Sequence, residues 1–446
     1  MFNIPKSKVV SFLTILGLII SFQIVLKTSY TLKPWEDELI SLTSNINFFK
    51  TLNFMPSISY ENYSYGLTSG ISSAIGGVIG WNLTKSFVVS RIFNFVYILI
   101  LQFLMALYIF KDSKKFNINY IIFFSVASIL LVPWWFSTIY LIAEVVSTLV
   151  FVNALFIYEK NKKFSLFLIG SSVIFGKFLM IIPSLLFLIS KIDVKDIKKS
   201  YSNLLFFITP FLLWYLMMFF KIGTEDFLNY LNNFFGTLLN REDSGVQSAL
   251  NFSFNTIYDN LQKSEVPNWT PASVIRAALT PLIFLFIYFK NKSLFLKEFG
   301  ISFTSVLFSI IGTYAWFWVL TPFKYIRQST HFVLIVIFIS IYLFLFSYGI
   351  SNFYKFLLLL NISFFLSDLK IVIAFNLIIF WYFILKEKQK PVFNLETVVI
   401  FLLIINLLNM NLELRAKDKF NLEFNSCKLD LFSSECAKEY LFDSYN

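Results

Sequence analysis

The chain has 446 residues, of which 57% are hydrophobic, 20% aromatic and 14% charged, with a formal net charge of +11. A soluble domain carries about 25% charged residues, so water on all sides is excluded and much of this surface must face lipid. The positive charge falls in short clusters between apolar runs: KDSKK at 111–115, EKNKK at 159–163, KIDVKDIKK at 191–199, KNKSLFLKE at 290–298 and KEKQK at 386–390. No basic face with interleaved aromatics exists outside these loops, which excludes nucleic acid as the partner and leaves membrane orientation as the use of the charge.

Lys6 and Lys8 precede the apolar run 9–26 and no small-x-small cleavage site follows, which reads as an uncleaved signal anchor with a cytoplasmic N-terminus. A span takes about 20 apolar residues, and lysine clusters stay inside. On that basis 9–26 leads out, 87–110 returns to KDSKK, 117–136 leads out and 140–158 returns to EKNKK. Run 164–190 has basic clusters at both ends and Lys177 in its middle. It is expected as two short helices turning near Gly176 and Lys177, with both ends cytoplasmic. Further on, 201–220 leads out, 271–289 back, 299–320 out and 331–348 back. Runs 356–366 and 371–385 form a short pair ending at KEKQK, and 397–410 leads out last.

The expected fold is an all-α polytopic membrane protein of about 13 transmembrane helices. Its transmembrane domain is 1–410, with outside loops 28–86 and 222–270 and an outside C-terminal tail, 411–446. The connections on the cytoplasmic side are short, so any chemistry faces outward. Both cysteines, Cys427 and Cys436, lie in that tail. An oxidising compartment permits a disulfide between them, against two unpaired thiols as the alternative. Their spacing with no nearby histidine is not a metal site.

The first outside loop carries Glu36, Asp37 and Glu38 directly after Pro34 and Trp35. Leu39, Leu42, Ile46 and Phe49 then recur at helical spacing, as in an amphipathic helix lying in the membrane interface. A solvated turn is the plain reading of such acids. The sharper one is a catalytic base facing the head group of a lipid-borne substrate.

Taken in order, these features resemble the GT-C superfamily of integral-membrane glycosyltransferases, in particular the branch of protein O-mannosyltransferases and the lipid A aminoarabinose transferase. In that family an Asp-Glu pair follows the first transmembrane helix. A Gly- and Tyr-containing loop comes next, and an Arg sits near the start of the second span. WEDEL, YSYGLTSGISSAIGGVIGW and KSFVVSRIFNF occupy those places. STIYLIAEVVSTLVFVNALFIY is similar to the family's fourth-helix pattern, in which an acid opens an apolar run. SSVIFGKFLMIIPSLLFLIS is similar to a segment with a Lys and a Pro, here Lys177 and Pro183. The family's His or Pro-rich signature in the first loop is missing, and no clear Asp-x-Asp lies outside.

The resemblance implies a GT-C-like bundle with interfacial helices in the first outside loop, in the plasma (inner) membrane. It implies an inverting glycosyltransferase that moves a sugar from a polyprenyl-phosphate donor to an acceptor on the outer face. The acceptor would be a lipid-linked glycan, a lipid or a protein. Asp37 is the implied base, with Glu38 orienting it or binding acceptor and Glu36 as the fallback.

Holding a departing phosphate takes Arg or Lys. WFWVLTPFKYIRQSTHF supplies Lys324, Arg327 and His331, while Lys85 and Arg91 flank the outer end of the second span. Interfacial snorkelling is the plain alternative for the cations, and a polar cap for the histidine. Glu144 and Lys177 are charges inside the membrane. Glu144 is expected as a supporting acid or as the partner of Arg91, and Lys177 as bonded to carbonyls at a helix break. No cofactor is required. Clustered carboxylates suit Mg or Mn, but nothing in the spacing demands a metal.

Two other classes use similar parts. A transporter or lipid flippase would employ Glu144, Lys177 and Arg91 as pathway charges. It leaves the acid-bearing first loop without a role, and no broken helices recur in matching halves. An O-antigen polymerase or ligase would use arginines on a late outside loop, but the early acids count against it.

Overall fold

In lipid, long runs of Leu, Ile, Phe and Val can satisfy their backbone only as helices. The computed structural model describes residues 6–32, 34, 36–52, 69–112, 116–130, 138–192, 197–240, 253, 255, 282–293, 303–317, 354 and 357. Apart from one isolated β-bridge, these residues are helices and their connections.

The elements run α1 (Lys6–Thr31), α2 (Glu36–Thr51), a 3₁₀ turn (Ile71–Ser73), α3 (Ile75–Thr84), α4 (Phe87–Phe110) and α5 (Ile118–Leu130). After them come α6 (Glu144–Ile157), α7 (Lys162–Ser171), α8 (Ile181–Ile189), α9 (Ile197–Ile222), α10 (Thr224–Asn240) and α11 (Phe303–Ala315). Thr14–Thr31, Phe87–Phe110 and Tyr201–Ile222 are long and apolar enough to cross a membrane; α5, α6, α11 and Phe178–Ile189 are shorter apolar helices. Leu104 on α4 and Leu212, Leu216 and Phe220 on α9 stay exposed, as side chains facing lipid would. The expected total of about 13 spans extends into residues outside those described.

The ends of α4 coincide with the run expected from sequence, because Ser86 caps its start and the lysines of 111–115 follow its end. The Ser86 hydroxyl accepts from the Val88 N–H at 3.2 Å. α6 does not coincide. It begins at Glu144, whereas hydropathy alone carries the span back to Tyr140. Residues 138–143 form turns instead, with Leu141 in the left-handed region at φ 58°. Glu144 therefore stands in the first helical turn, where the helix dipole favours a carboxylate.

The basic clusters gather at one end of the bundle. Asn119, at the start of α5, donates to Ser11 Oγ of α1 at 2.7 Å. Lys160 pairs with Asp112 at 3.2 Å and donates to the Ile109 carbonyl at 2.6 Å. Lys191, just past α8, lies 4.0 Å from Glu159 and 4.6 Å from the centre of the Tyr158 ring. The N-terminal half of α1 and the described residues Asp112, Glu159, Lys160 and Lys191 thus gather at one end, as the positive-inside pattern requires.

That clustering settles the geometry of run 164–190. α7 rises from the basic end, passes through a π-helical turn (Ser172–Gly176) and an extended Lys177, and α8 descends so that Lys191 comes back beside Glu159. It is a helical hairpin with its tip at Gly176 and Lys177, as expected. At about 1.5 Å per residue, the tip stands about 20 Å above the basic end.

α3 folds back against α4 through Gly76 and Gly80, which are four apart and leave no room for larger residues. A Cβ at Gly76 would lie 2.5 Å from the Phe93 carbonyl oxygen, and one at Gly80 would lie 2.7 Å from that of Val89. The remaining core is built from Phe95 and Ile98 of α4, Phe124 of α5, Leu149 and Val152 of α6 and Ile169 of α7.

α2 departs from its expected setting. The helix forms where predicted, but Leu39 through Ile46 are all buried, while Phe49, expected on the apolar face, is 51% exposed. Three consecutive polar residues, Thr43, Ser44 and Asn45, survive burial because each turns its polarity onto its own helix. Thr43 donates to Leu39 O at 2.9 Å, Ser44 to Ile40 O at 2.7 Å and Asn45 to Ser41 O at 2.8 Å. α2 is thus a packed element of the bundle rather than a helix half-immersed in the interface.

Candidate active site

The end of the bundle opposite the basic clusters is where α1 finishes, α2 and α4 begin, and α6 starts. α2 opens with Glu36, Asp37 and Glu38, and acids in a first turn are favoured by the exposed N–H groups there. Glu38 points inward. Its Oε1 accepts from Arg91 Nε and its Oε2 from Arg91 Nη2, both at 2.7 Å, with both side chains fully buried. The remaining guanidinium nitrogen, Nη1, donates to two carbonyls at the end of α1, Ser29 at 2.8 Å and Leu32, just past the helix, at 2.5 Å. The guanidinium lies 5.2 Å from the centre of the Tyr140 ring.

This arrangement changes two sequence-based assignments. Arg91 is not turned outward toward a phosphate, since its fork is filled by Glu38 and by the carbonyls of α1. Glu38 has both oxygens engaged, so it is an anchor for α2 and neither a base nor an acceptor ligand in this geometry. Glu144 is likewise not the partner of Arg91. It sits 3.2 Å from Lys177 Nζ, on the hairpin tip. Lys177 was expected to bond carbonyls at the helix break; instead its ammonium meets Glu144 and donates to Ser69 Oγ at 2.9 Å.

Asp37 is one residue away from this anchor and half-buried, in contrast to the wholly buried Glu38. The pair beside it fixes the helix turn that carries its carboxylate. Glu36 is the first residue of α2.

Lys85 follows α3 in a left-handed conformation at φ 56°, with its ammonium 5.9 Å from the centre of the Trp81 ring. Partial burial, and secondarily the nearby Lys50 at the end of α2, hold its pKa below the ordinary lysine value. A cation of this kind, near the water and next to a second one, is suited to an anion. Lys324, Arg327, His331, Cys427 and Cys436 lie outside the described residues. Among the described residues, no three His, Cys, Asp or Glu side chains come together as a metal cluster.

Asn94 is a site residue that the sequence reading passed over. Its Nδ2 donates to the carbonyls of Ser73 at 3.1 Å and Thr138 at 2.8 Å, tying the 3₁₀ turn and the entry to α6 onto α4. A signal existed. Ser90, Arg91, Asn94 and Gln102 are polar and buried within an otherwise apolar helix, spaced to share one face.

Above the hairpin tip, Phe48 of α2 and Phe175 of the tip both pack on Trp214 of α9, at ring separations of 5.7 and 5.8 Å. α10 crosses the same region, with Phe234 at 4.9 Å from Phe178. Its Glu225 and Asp226 are exposed, as are Leu228, Phe235 and Leu239 on a neighbouring face. α10 is the part of loop 222–270 that the structure describes as a continuous helix.

No family model and no curated protein sequence matches the chain. Among solved structures, ArnT from Cupriavidus metallidurans bound to undecaprenyl phosphate aligns with a TM-score of 0.51 at 10% identity, over 91% of this chain and 77% of that one. The same protein in the apo state aligns at a TM-score of 0.48 and 10% identity, over 91% and 76%. The first alignment establishes that this chain shares the helical fold of ArnT. It bears out, at the level of fold, the GT-C-like bundle that the order of motifs implied.

Proposed function

We propose that the chain is a GT-C-type inverting glycosyltransferase, taking a sugar from a polyprenyl-phosphate donor and delivering it to an acceptor on the outer face of the plasma (inner) membrane. One observation carries the reading: in a chain with the fold of ArnT, the acids directly after the first span are divided in role. Glu38 is locked to Arg91, and Asp37 remains half-buried beside it. The solved relative in fold was crystallised with undecaprenyl phosphate, a lipid of the donor's chemistry.

Asp37 acts as general base. It takes the proton of the acceptor hydroxyl as that oxygen attacks the anomeric carbon, and the bond from that carbon to the phosphate oxygen breaks on the opposite face. One displacement inverts the centre, so one carboxylate suffices. The electron pair leaves with the polyprenyl phosphate. Its charge is met by Lys85, assisted by Lys50, together with Lys324, Arg327 and His331 of the late outside loop. Glu38 and Arg91 keep the first turn of α2 in register and stay out of the chemistry.

The basic end of the bundle faces the cytoplasm and the acid-bearing end faces out, with the tail 411–446 also outside. Glu144 and Lys177 pair with each other at the hairpin tip, a structural use of two charges named as pathway charges in the transporter reading. A metal ion is not required by this scheme. The acceptor is a lipid-linked glycan, a lipid or a protein.

The test is Asp37→Asn, with mass spectrometry of envelope glycans and of polyprenyl-phosphate sugars. The variant should insert normally and leave the donor unconsumed. Undiminished transfer by Asp37→Asn in a background where Glu36 is also neutralised would reject the base, and movement of labelled substrate without any transfer would favour a transporter.

A further inference from the structure

The π-helical turn at the hairpin tip breaks the helical ladder and leaves carbonyls of its last residues open. They are filled from the first outside loop. Gly70 N–H donates to Gly176 O at 2.6 Å, the Ser72 hydroxyl donates to Phe175 O at 2.5 Å, and Ser69 and Lys177 form an antiparallel β-bridge. The contact is too close for any side chain at its centre. A Cβ at Gly70 would lie 2.5 Å from the Ile174 carbonyl oxygen, and one at Gly176 would lie 2.5 Å from Ser147 Cβ on α6. Three layers are therefore stacked: α6, the hairpin tip, and residues 69–72 of the loop.

Lys177 crosses all three. Its backbone bridges Ser69, and its ammonium donates to Ser69 Oγ at 2.9 Å while pairing with Glu144 at 3.2 Å. Glu144 is itself held in the first turn of α6 and is 2% exposed. The ion pair thus fixes the ammonium, and the ammonium fixes the loop. At the other end of the same loop, Arg91 fixes α2 through Glu38. The chain between these two clamps leaves α2 at Leu52 and returns at Ser69.

We infer that Lys177, oriented by Glu144, is a positioning residue that latches the end of the first outside loop onto the hairpin tip and so sets the geometry in which the site meets a polyprenyl phosphate. The inference rests on the function proposed above for its consequence in binding, but the latch itself does not. Lys177 touches neither substrate nor reacting atoms. It acts through Ser69, so removing the Ser69 hydroxyl must reproduce the loss of Lys177 without disturbing the ion pair.

The full-length protein in nanodiscs is compared with Ser69→Ala, Lys177→Met, Lys177→Arg and Glu144→Gln. Two quantities are read: amide hydrogen exchange in a peptide covering 69–74, and affinity for undecaprenyl phosphate added alone. Loss of one charge-assisted hydrogen bond predicts about tenfold faster exchange at 70–73 in Ser69→Ala, with exchange in α4 and α6 unchanged. Affinity for undecaprenyl phosphate falls about tenfold in Ser69→Ala and in Lys177→Met, and is regained in Lys177→Arg. Ser69→Ala keeps the buried pair, so it decides the matter even if Lys177→Met fails to fold. Unchanged exchange in Ser69→Ala overturns the latch. Faster exchange with unchanged affinity overturns the positioning role while leaving the proposed function standing. A wild-type protein that does not bind undecaprenyl phosphate overturns the proposed function and the positioning role with it, and the exchange result then decides the latch alone.

Discussion

Replacing Arg91 by lysine keeps the positive charge and removes the fork. In the native structure one guanidinium makes four hydrogen bonds, two to Glu38 and one each to the carbonyls of Ser29 and Leu32, all between 2.5 and 2.8 Å. A lysine ammonium is a single point with three donors, and from the same backbone position it cannot reach both carboxylate oxygens and both carbonyls. Losing about two charge-assisted bonds, with partial relaxation, costs about 2–4 kcal/mol. Arg91→Met goes further, because Glu38 is left as a buried charge without its partner, and costs about 3–5 kcal/mol. Combining Arg91→Met with Glu38→Leu removes that charge as well and restores part of the loss. Reversible unfolding in mixed detergent and dodecyl sulfate, run as a double-mutant cycle, measures each term. The same samples separate anchor from catalyst. In Glu38→Gln, activity should fall in proportion to the folded fraction, whereas in Asp37→Asn it should fall with stability intact. If Arg91→Lys unfolds within about 0.5 kcal/mol of wild type, the four-bond clamp does not hold α2 and the division of roles between Glu38 and Asp37 fails with it.

Three further outcomes are expected. Asp37→Asn should lower transfer about 10²- to 10⁴-fold, the range of a lost general base, with an unchanged unfolding midpoint; a smaller drop would count against direct proton transfer. Lys85 should release its proton below the model-compound value of 10.5, because burial and then Lys50 disfavour its charged form. Affinity for undecaprenyl phosphate should therefore decline as the pH rises toward 10.5, and Lys50→Gln should move that decline to higher pH. A decline that Lys50→Gln leaves in place would remove Lys50 from the cradle. Gly76→Ala places a Cβ 2.5 Å from the Phe93 carbonyl oxygen and should destabilise the α3–α4 hairpin by about 1–3 kcal/mol, read in the same unfolding assay.

Hydropathy and charge clusters made the membrane architecture legible wherever a local signal marked the boundary. α4 has a serine cap before it and lysines after it, and its ends were read without error. The hairpin at 164–190 was legible because charge at both ends of one apolar run forbids a single crossing. α6 was misread at its start because the turn there is made by Leu141, a residue that carries no turn signal, amid apolar neighbours that continue the run. Only the packed structure shows that Glu144 begins the helix.

The ion pairs were illegible for a different reason. Glu38 lay in the first outside loop, Arg91 at the outer end of the second span and Glu144 and Lys177 inside the membrane, and the sequence offered Glu144 rather than Glu38 as a partner for Arg91. Burial decides the outcome through the acceptors that surround each base. Arg91 needs a planar bidentate partner and further carbonyls for its remaining donors, and the end of α1 beside Glu38 supplies both. Lys177 needs fewer acceptors in no fixed plane, and Glu144 with Ser69 supplies those at the hairpin tip. Exchanging the two bases would leave the guanidinium short of acceptors at the tip and the carbonyls of α1 without a donor. The pairing therefore follows from the shapes of the two cations. It also explains how one chain can carry a buried and a largely buried pair at the end opposite its basic clusters and still present Asp37 beside one of them.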